Sequence, residues 1–187
     1  MDDPLETIVR DKYVVNCFLG LRYSDFNNLE AHFFKKKTIG GKEFIVYSGR
    51  AKKTDQLVEF AVHPTAVSIL ERYNYQLPKM IDTKFNSLLK EVCVKAGLSS
   101  IERIREIRGT ETIVKNLPKY ELITSHAGRR SFCTNFYNEG ISIQAIMSIS
   151  GHCDEKEFRK YVKKRGVRID IVAEQVFAIK GLNLTAA

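Results

Sequence analysis

A chain of 187 residues is enough for one domain with its own core, and 30 Lys and Arg against 22 Asp and Glu leave it at +8. Such an excess points to a polyanionic partner, nucleic acid or an anionic membrane surface. No apolar run approaches the length of a span, and the charged opening MDDPLETIVRDK has no secretory pattern, so an intracellular protein is expected. Cys17, Cys93, Cys133 and Cys153 stand far apart without a C-x-x-C pair, which favours free thiols over a zinc site. There is no G-x-x-x-x-G-K-[ST] loop of an NTPase and no acidic cluster of the kind a magnesium nuclease uses.

In chain order, Leu5, Ile8, Val9, Tyr13 and Cys17 form an apolar stripe at helical spacing over residues 4–19, and Gly20 ends it. Ser24 reads as the cap of a short helix around DFNNLE. HFFKKKTI, a turn at Gly40–Gly41, KEFIVYSG, a turn near AKKTD and QLVEFAV read as three antiparallel strands. Pro64 can open the helix PTAVSILERYN. Asp82 or Thr83 can cap KFNSLLKEVCVKA, which Gly97 closes. IERIREIRGTETIVKN reads as a charged, exposed hairpin about Gly109. Helices are expected over 125–139, 142–149, 154–163 and about 170–180. The sum is an α+β domain, mostly helix with one small sheet.

Four stretches carry residues with chemical potential. In TSHAGRRSF, a cap at Ser125 puts His126 and Arg129 in the first helical turn on one face, where the free N–H groups already favour an anion. A capping histidine beside a solvated arginine is the plainer reading. In LGLRYSDF, Arg22 sits in a turn, and Asp25 could orient it or act as an ordinary first-turn carboxylate. In GRAKKTDQ, Lys52 and Lys53 occupy a hairpin tip. In SGHCDEKEFRKYV, His152 lies on a turn, Asp154 and Glu157 fit a variant capping box, and Tyr161 shares a helix face with Phe158 and Val162, so it is a packing aromatic or a nucleophile.

Together, and in this order, GLRYSD, KKT, HAGRRSF and SGH followed nine residues later by Tyr161 resemble the motifs of the tyrosine recombinase (phage integrase) family, over about residues 15–165. The resemblance implies a mostly α-helical catalytic domain with a small antiparallel three-stranded sheet. It implies that residues 1–187 are the C-terminal catalytic domain of a longer integrase, without the N-terminal domain that grips the other face of DNA. Arg22 and Arg129 match the arginines that clamp the scissile phosphate, His126 the histidine of H-x-x-R, His152 the second histidine and Tyr161 the nucleophile. Lys53, which directly precedes Thr54, matches the lysine, with Lys52 as the alternative. Asp25 matches an acidic position that supports the first arginine. Two positions depart from the pattern: Ser150 stands where an apolar residue or glycine is frequent, and Gly128 replaces a larger residue.

These residue types suit transfer of a DNA phosphodiester to a phenol. Tyrosine, with a pKa near ~10, is a poor nucleophile unless the phosphorus is polarised. Two arginine forks can hold both non-bridging oxygens. Histidines can donate to those oxygens or move a proton, and a lysine on a turn can protonate the leaving hydroxyl. By the family's pattern the intermediate is a 3′-phosphotyrosine with a free 5′-hydroxyl, and neither metal nor other cofactor is called for. The expected function is site-specific integration or excision of a mobile element, acting on double-stranded DNA through a tetrameric synapse, in the cytoplasm near the nucleoid. A non-catalytic DNA-binding module of the same fold and a type IB topoisomerase-like activity are the alternatives.

Overall fold

The computed structural model describes residues 3–52, 55–109, 111–159 and 162. Helix α1, Pro4–Leu19, begins where Asp3 accepts a 2.8 Å hydrogen bond from the Leu5 N–H, with Pro4 at a position where a missing N–H costs nothing. It ends at Gly20, whose φ of +64° lets its N–H return to the Asn16 carbonyl at 2.9 Å. Val9, Val15 and Leu19 are fully buried along α1. So is Lys12, whose Nζ donates to Pro78 O at 2.8 Å and Asn27 Oδ1 at 3.1 Å, and whose pKa burial lowers to about 8. A polar group taken from water in this way requires such partners.

Helix α2, Tyr23–Phe26, starts earlier than a Ser24 cap would place it. Arg22 is the capping residue and makes no side-chain bond to the helix, so its guanidinium reaches elsewhere. Strands β1 (Phe34–Ile39), β2 (Lys42–Arg50) and β3 (Leu57–Ala61) form the expected antiparallel sheet in the order β1–β2–β3, with Phe34 opposite Tyr47 and Val46 opposite Ala61. Gly40 and Gly41, at φ +59° and +77°, make the first turn. Past Pro64, helix α3 (Pro64–Arg72) and helix α4 (Asp82–Lys95) pack on α1. Ile81 caps α4, so Asp82 lies inside its first turn, where a carboxylate suits the helix dipole.

Strands β4 (Ile101–Arg108) and β5 (Glu111–Pro118) pair antiparallel about Gly109 as a second sheet, with Ile101 and Val114 exposed. Helix α5 (Ser125–Asn138) is capped by Thr124 rather than Ser125; the Ser125 N–H instead donates to Asn86 Oδ1 at 2.6 Å, a bond to α4 that local sequence does not announce. Helix α6 (Ile143–Ser150) is capped by Ser142, whose Oγ accepts from the Ala145 N–H, and ends at Gly151 with φ +67°. The short helix α7 (Glu155–Arg159) follows, with Asp154 accepting from the Lys156 N–H at 2.8 Å. The expected helix at 170–180 lies outside the described residues.

Three apolar clusters result: the sheet with α1 and α3, α1 with α4, and α5 with α6 and α7. The close approach of α5 to α1 depends on glycine. A Cβ on Gly20 would fall 2.3 Å from the fully buried Phe132 ring, and its φ is unfavourable for any side chain. Gly20→Ala should therefore destabilise the fold by about 2–4 kcal/mol, from strain plus overpacking, read as a lowered urea midpoint; an unchanged midpoint would contradict this packing. At Gly128, facing Asn16 of α1, a Cβ would sit at an ordinary 3.5 Å, so alanine is tolerated there and larger side chains are not.

Candidate active site

Two of the chain's reversals and two of its arginines are built into one another. Arg129, in the first turns of α5, is 2% exposed, and its Nη1 donates to the carbonyl of Gly20 at 2.8 Å. The glycine that ends α1 thus turns its oxygen to an arginine 109 positions away. Arg129 Nη2 lies 3.2 Å from both ring nitrogens of His152. Arg22 reaches the same reversal from the other side, its Nη2 donating to Gly151 O at 2.9 Å. A Cβ on Gly151 would lie 3.5 Å from Arg22 Nη1, and the left-handed backbone there favours glycine in any case. The turn at 150–152 therefore receives both guanidinium groups.

His126 stands one helical turn before Arg129 on α5 and is exposed. Its pKa is lowered first by desolvation, then by the charges of Arg129, Arg130 and Arg22. His152 is pushed down to about 4 by burial first, then by Arg129, Arg22 and His126. Both imidazoles are thus neutral near pH 7, beside two permanent cations. The Phe158 ring stands edge-on to His152 with centroids 5.5 Å apart, which ties α7 to the site.

Arg22, His126, Arg129 and His152 are brought together from three separate stretches of chain. Asp25 does not act as expected on Arg22, whose acceptor is Gly151 O; its Oδ1 instead takes the backbone N–H of Lys52 at 3.3 Å. That bond ties the turn after β2 to α2, beside Arg22. Lys52 is exposed on this turn. Lys53 and Tyr161 lie outside the described residues. Gly20 and Gly151 as carbonyl acceptors for the arginine forks, and Asp25 as the anchor of the Lys52 turn, were not legible as such. Their trace in the sequence is slight: Gly151 directly precedes His152, and Gly20 stands two residues before Arg22. Among the described residues, no three His, Cys, Asp or Glu side chains are grouped to hold a metal ion, and no helix is long and apolar enough to cross a membrane.

Two fork-shaped cations beside two neutral imidazoles can receive an oxyanion with several donors at once, in a site shielded enough to strengthen each bond. The neutral state of His152 has a consequence for folding. Its proton affinity is lower in the fold than in the unfolded chain, so between about pH 6.5 and about pH 4 the unfolded chain holds the extra proton. Stability should fall as the pH drops through that window. His152→Gln should lose most of this dependence between about pH 7 and about pH 5 in urea titrations, with a smaller slope remaining from His126. Equal slopes in the two proteins would refute the neutral, half-buried ring.

The family model for the phage integrase family matches residues 19–166. Among solved structures, the chain is similar to the XerH site-specific recombinase bound to palindromic difH substrate in a post-cleavage complex, at TM-score 0.59 and 15% identity, covering 93% of this chain and 47% of that one. It is similar to the Tn1549 transposon integrase in complex with circular intermediate DNA, at TM-score 0.54 and 16% identity, covering 93% and 59%. XerA recombinase matches at TM-score 0.56 and 14% identity, covering 91% and 63%. At such identities the likeness is one of fold, and the chain spans about half to three-fifths of the length of these proteins. Comparison with curated protein sequences gives no match. With its mostly helical architecture, its small three-stranded sheet and a family match over most of its length, the chain belongs to the phage integrase family.

Proposed function

We propose that this chain is the catalytic domain of a site-specific DNA strand transferase that cleaves and rejoins DNA through a covalent 3′-phosphotyrosine, in the integration or excision of a mobile element. The observation that carries the reading is the convergence of Arg22 and Arg129 on the one turn that bears His152, with His126 alongside. Double-stranded DNA is the partner, and the +8 charge suits it.

In this reading the forks of Arg22 and Arg129 hold the two non-bridging oxygens of the scissile phosphate and stabilise the charge that grows there during attack. Tyr161 attacks phosphorus, forming the O–P bond as the bond to the 5′ oxygen breaks. Lys53, the sequence neighbour of Lys52, protonates that oxygen as it leaves. His126 and His152, neutral near pH 7, bear on the same oxygens or carry the phenol's proton. Reversal by another 5′-hydroxyl restores the phosphodiester without ATP, because the phosphotyrosine keeps its bond energy. Four copies assembled on two DNA sites would allow exchange of partners.

The test is to incubate the chain with labelled, nicked duplexes of randomised sequence, recover DNA-linked protein on a denaturing gel, and map the adduct by peptide mass spectrometry. A nucleotide mass on the peptide containing Tyr161 is expected. An adduct on a different residue would overturn the assignment, and DNA relaxation without exchange between duplexes would shift the reading to a topoisomerase.

A further inference from the structure

The residue before Gly151 decides which nitrogen of His152 carries its proton. Ser150 is buried, at the last position of α6, and its Oγ lies 2.7 Å from the carbonyl of Ile146, one turn earlier. A carbonyl can only accept, so the single hydroxyl proton of Ser150 is committed to it. The same Oγ lies 2.7 Å from His152 Nδ1. With its proton so engaged, Ser150 has only lone pairs to offer the ring, and a contact of that length requires Nδ1 to be the donor. Arg129 Nη2, 3.2 Å from both ring nitrogens, lies over the ring rather than along either lone pair, so it does not compete with Ser150 for Nδ1.

We propose that Ser150 is a positioning residue that holds His152 in the Nδ1–H tautomer, which leaves the ring's lone pair on Nε2. The ordered chain runs from His152 Nδ1–H to Ser150 Oγ and from Ser150 O–H to the Ile146 carbonyl, while Arg129 rests its Nη2 against the ring and donates from Nη1 to the Gly20 carbonyl. Each of the two serine links has one donor and one acceptor, and the other tautomer would set the Nδ1 lone pair against an oxygen with no proton left to give. An apolar residue or glycine at 150 cannot make this bond, so the ring's tautomer would be chosen by its other neighbours. In the strand-transfer reading, on which the catalytic part of this inference rests, His152 enters the reaction able to accept a proton at Nε2.

Two readouts separate the inference from that reading. Long-range ¹H–¹⁵N spectra of the 187-residue chain near neutral pH, without DNA, should show His152 protonated at Nδ1 and unprotonated at Nε2. Ser150→Ala should move the ring toward the Nε2–H form that free imidazole prefers, and Ser150→Thr, which keeps the hydroxyl, should restore Nδ1–H. An unmutated chain with His152 in the Nε2–H form overturns the proposal with no variant required, as does a Ser150→Ala spectrum identical to that of the parent. On the nicked duplexes, Ser150→Ala should form adduct about 10- to 100-fold more slowly, as loss of an orienting partner does at comparable sites, with Ser150→Thr recovering most of the rate. Adduct formation by Ser150→Ala at the parent rate overturns the positioning role. Absence of adduct from the unmutated chain counts against strand transfer, while the tautomer still decides the present inference.

Discussion

Tyr161→Phe should bind DNA as tightly as the parent chain and form no covalent adduct with it. The substitution removes one oxygen and leaves the charge that draws the protein to phosphates untouched. A phenyl ring has no nucleophile, so adduct yield should fall by at least about 10³-fold, to the limit of detection. Gel shifts and denaturing gels run on the same incubations check the two halves. Phe158 and Val162 flank Tyr161 in sequence and belong to the cluster of α5 and α6, so a purely packing tyrosine is the alternative. That alternative predicts the reverse: adduct chemistry that persists in Tyr161→Phe. An adduct that survives Tyr161→Phe would sink the mechanism.

Arg129 is expected to matter almost as much, and for two separable reasons. Its buried guanidinium supports the Gly20 carbonyl and His152, and in the proposed reaction it also faces the phosphate. Arg129→Lys keeps the charge but not the fork, so it cannot serve the carbonyl, the ring and an oxyanion together. Adduct formation should drop by about 10²- to 10³-fold, the scale set by loss of one donor to a developing oxyanion. Stability should drop by about 1–3 kcal/mol as the Gly20 oxygen loses its donor. Arg129→Ala removes the charge as well. Since that charge is the second cause, after burial, of the low proton affinity of both His126 and His152, both should titrate closer to the ordinary histidine value in NMR titrations. Histidines that titrate unchanged in Arg129→Ala would mean that the guanidinium is not where the hydrogen bonds put it.

Much of the site could be read before any fold was known, because several of its parts are written locally. Glycines 20, 140 and 151 follow helical stripes and take the left-handed conformation that closes a helix, and Gly40–Gly41 sets the register of β1 against β2. Where local chemistry offered two candidates, the reading slipped by a residue or two. Ser24, Ser125 and Asp82 all have cap-competent side chains, yet the caps are Arg22, Thr124 and Ile81. At each of these three the cap makes no side-chain bond, so the start of the helix is decided by packing and by outside partners such as Asn86. Asp25 was misread for a related reason. A carboxylate three residues from an arginine suggests a pair, but the arginine found a carbonyl and the carboxylate a backbone N–H on another hairpin.

The residue types of the site, their order along the chain and the helices and hairpins that carry them are determined by the sequence itself. Periodicity, helix-ending glycines and motif spacing are short-range properties that survive without tertiary contacts. Which group holds which is decided only by the folded structure. The bonds from Arg129 to Gly20, from Arg22 to Gly151 and from Asp25 to the Lys52 N–H join residues 109, 129 and 27 positions apart, and the first of them needs α5 packed on α1 so closely that a side chain at Gly20 would strike Phe132. The proposed direction of a single proton on His152 rests instead on two 2.7 Å contacts to one hydroxyl at the end of α6, whose burial the fold supplies.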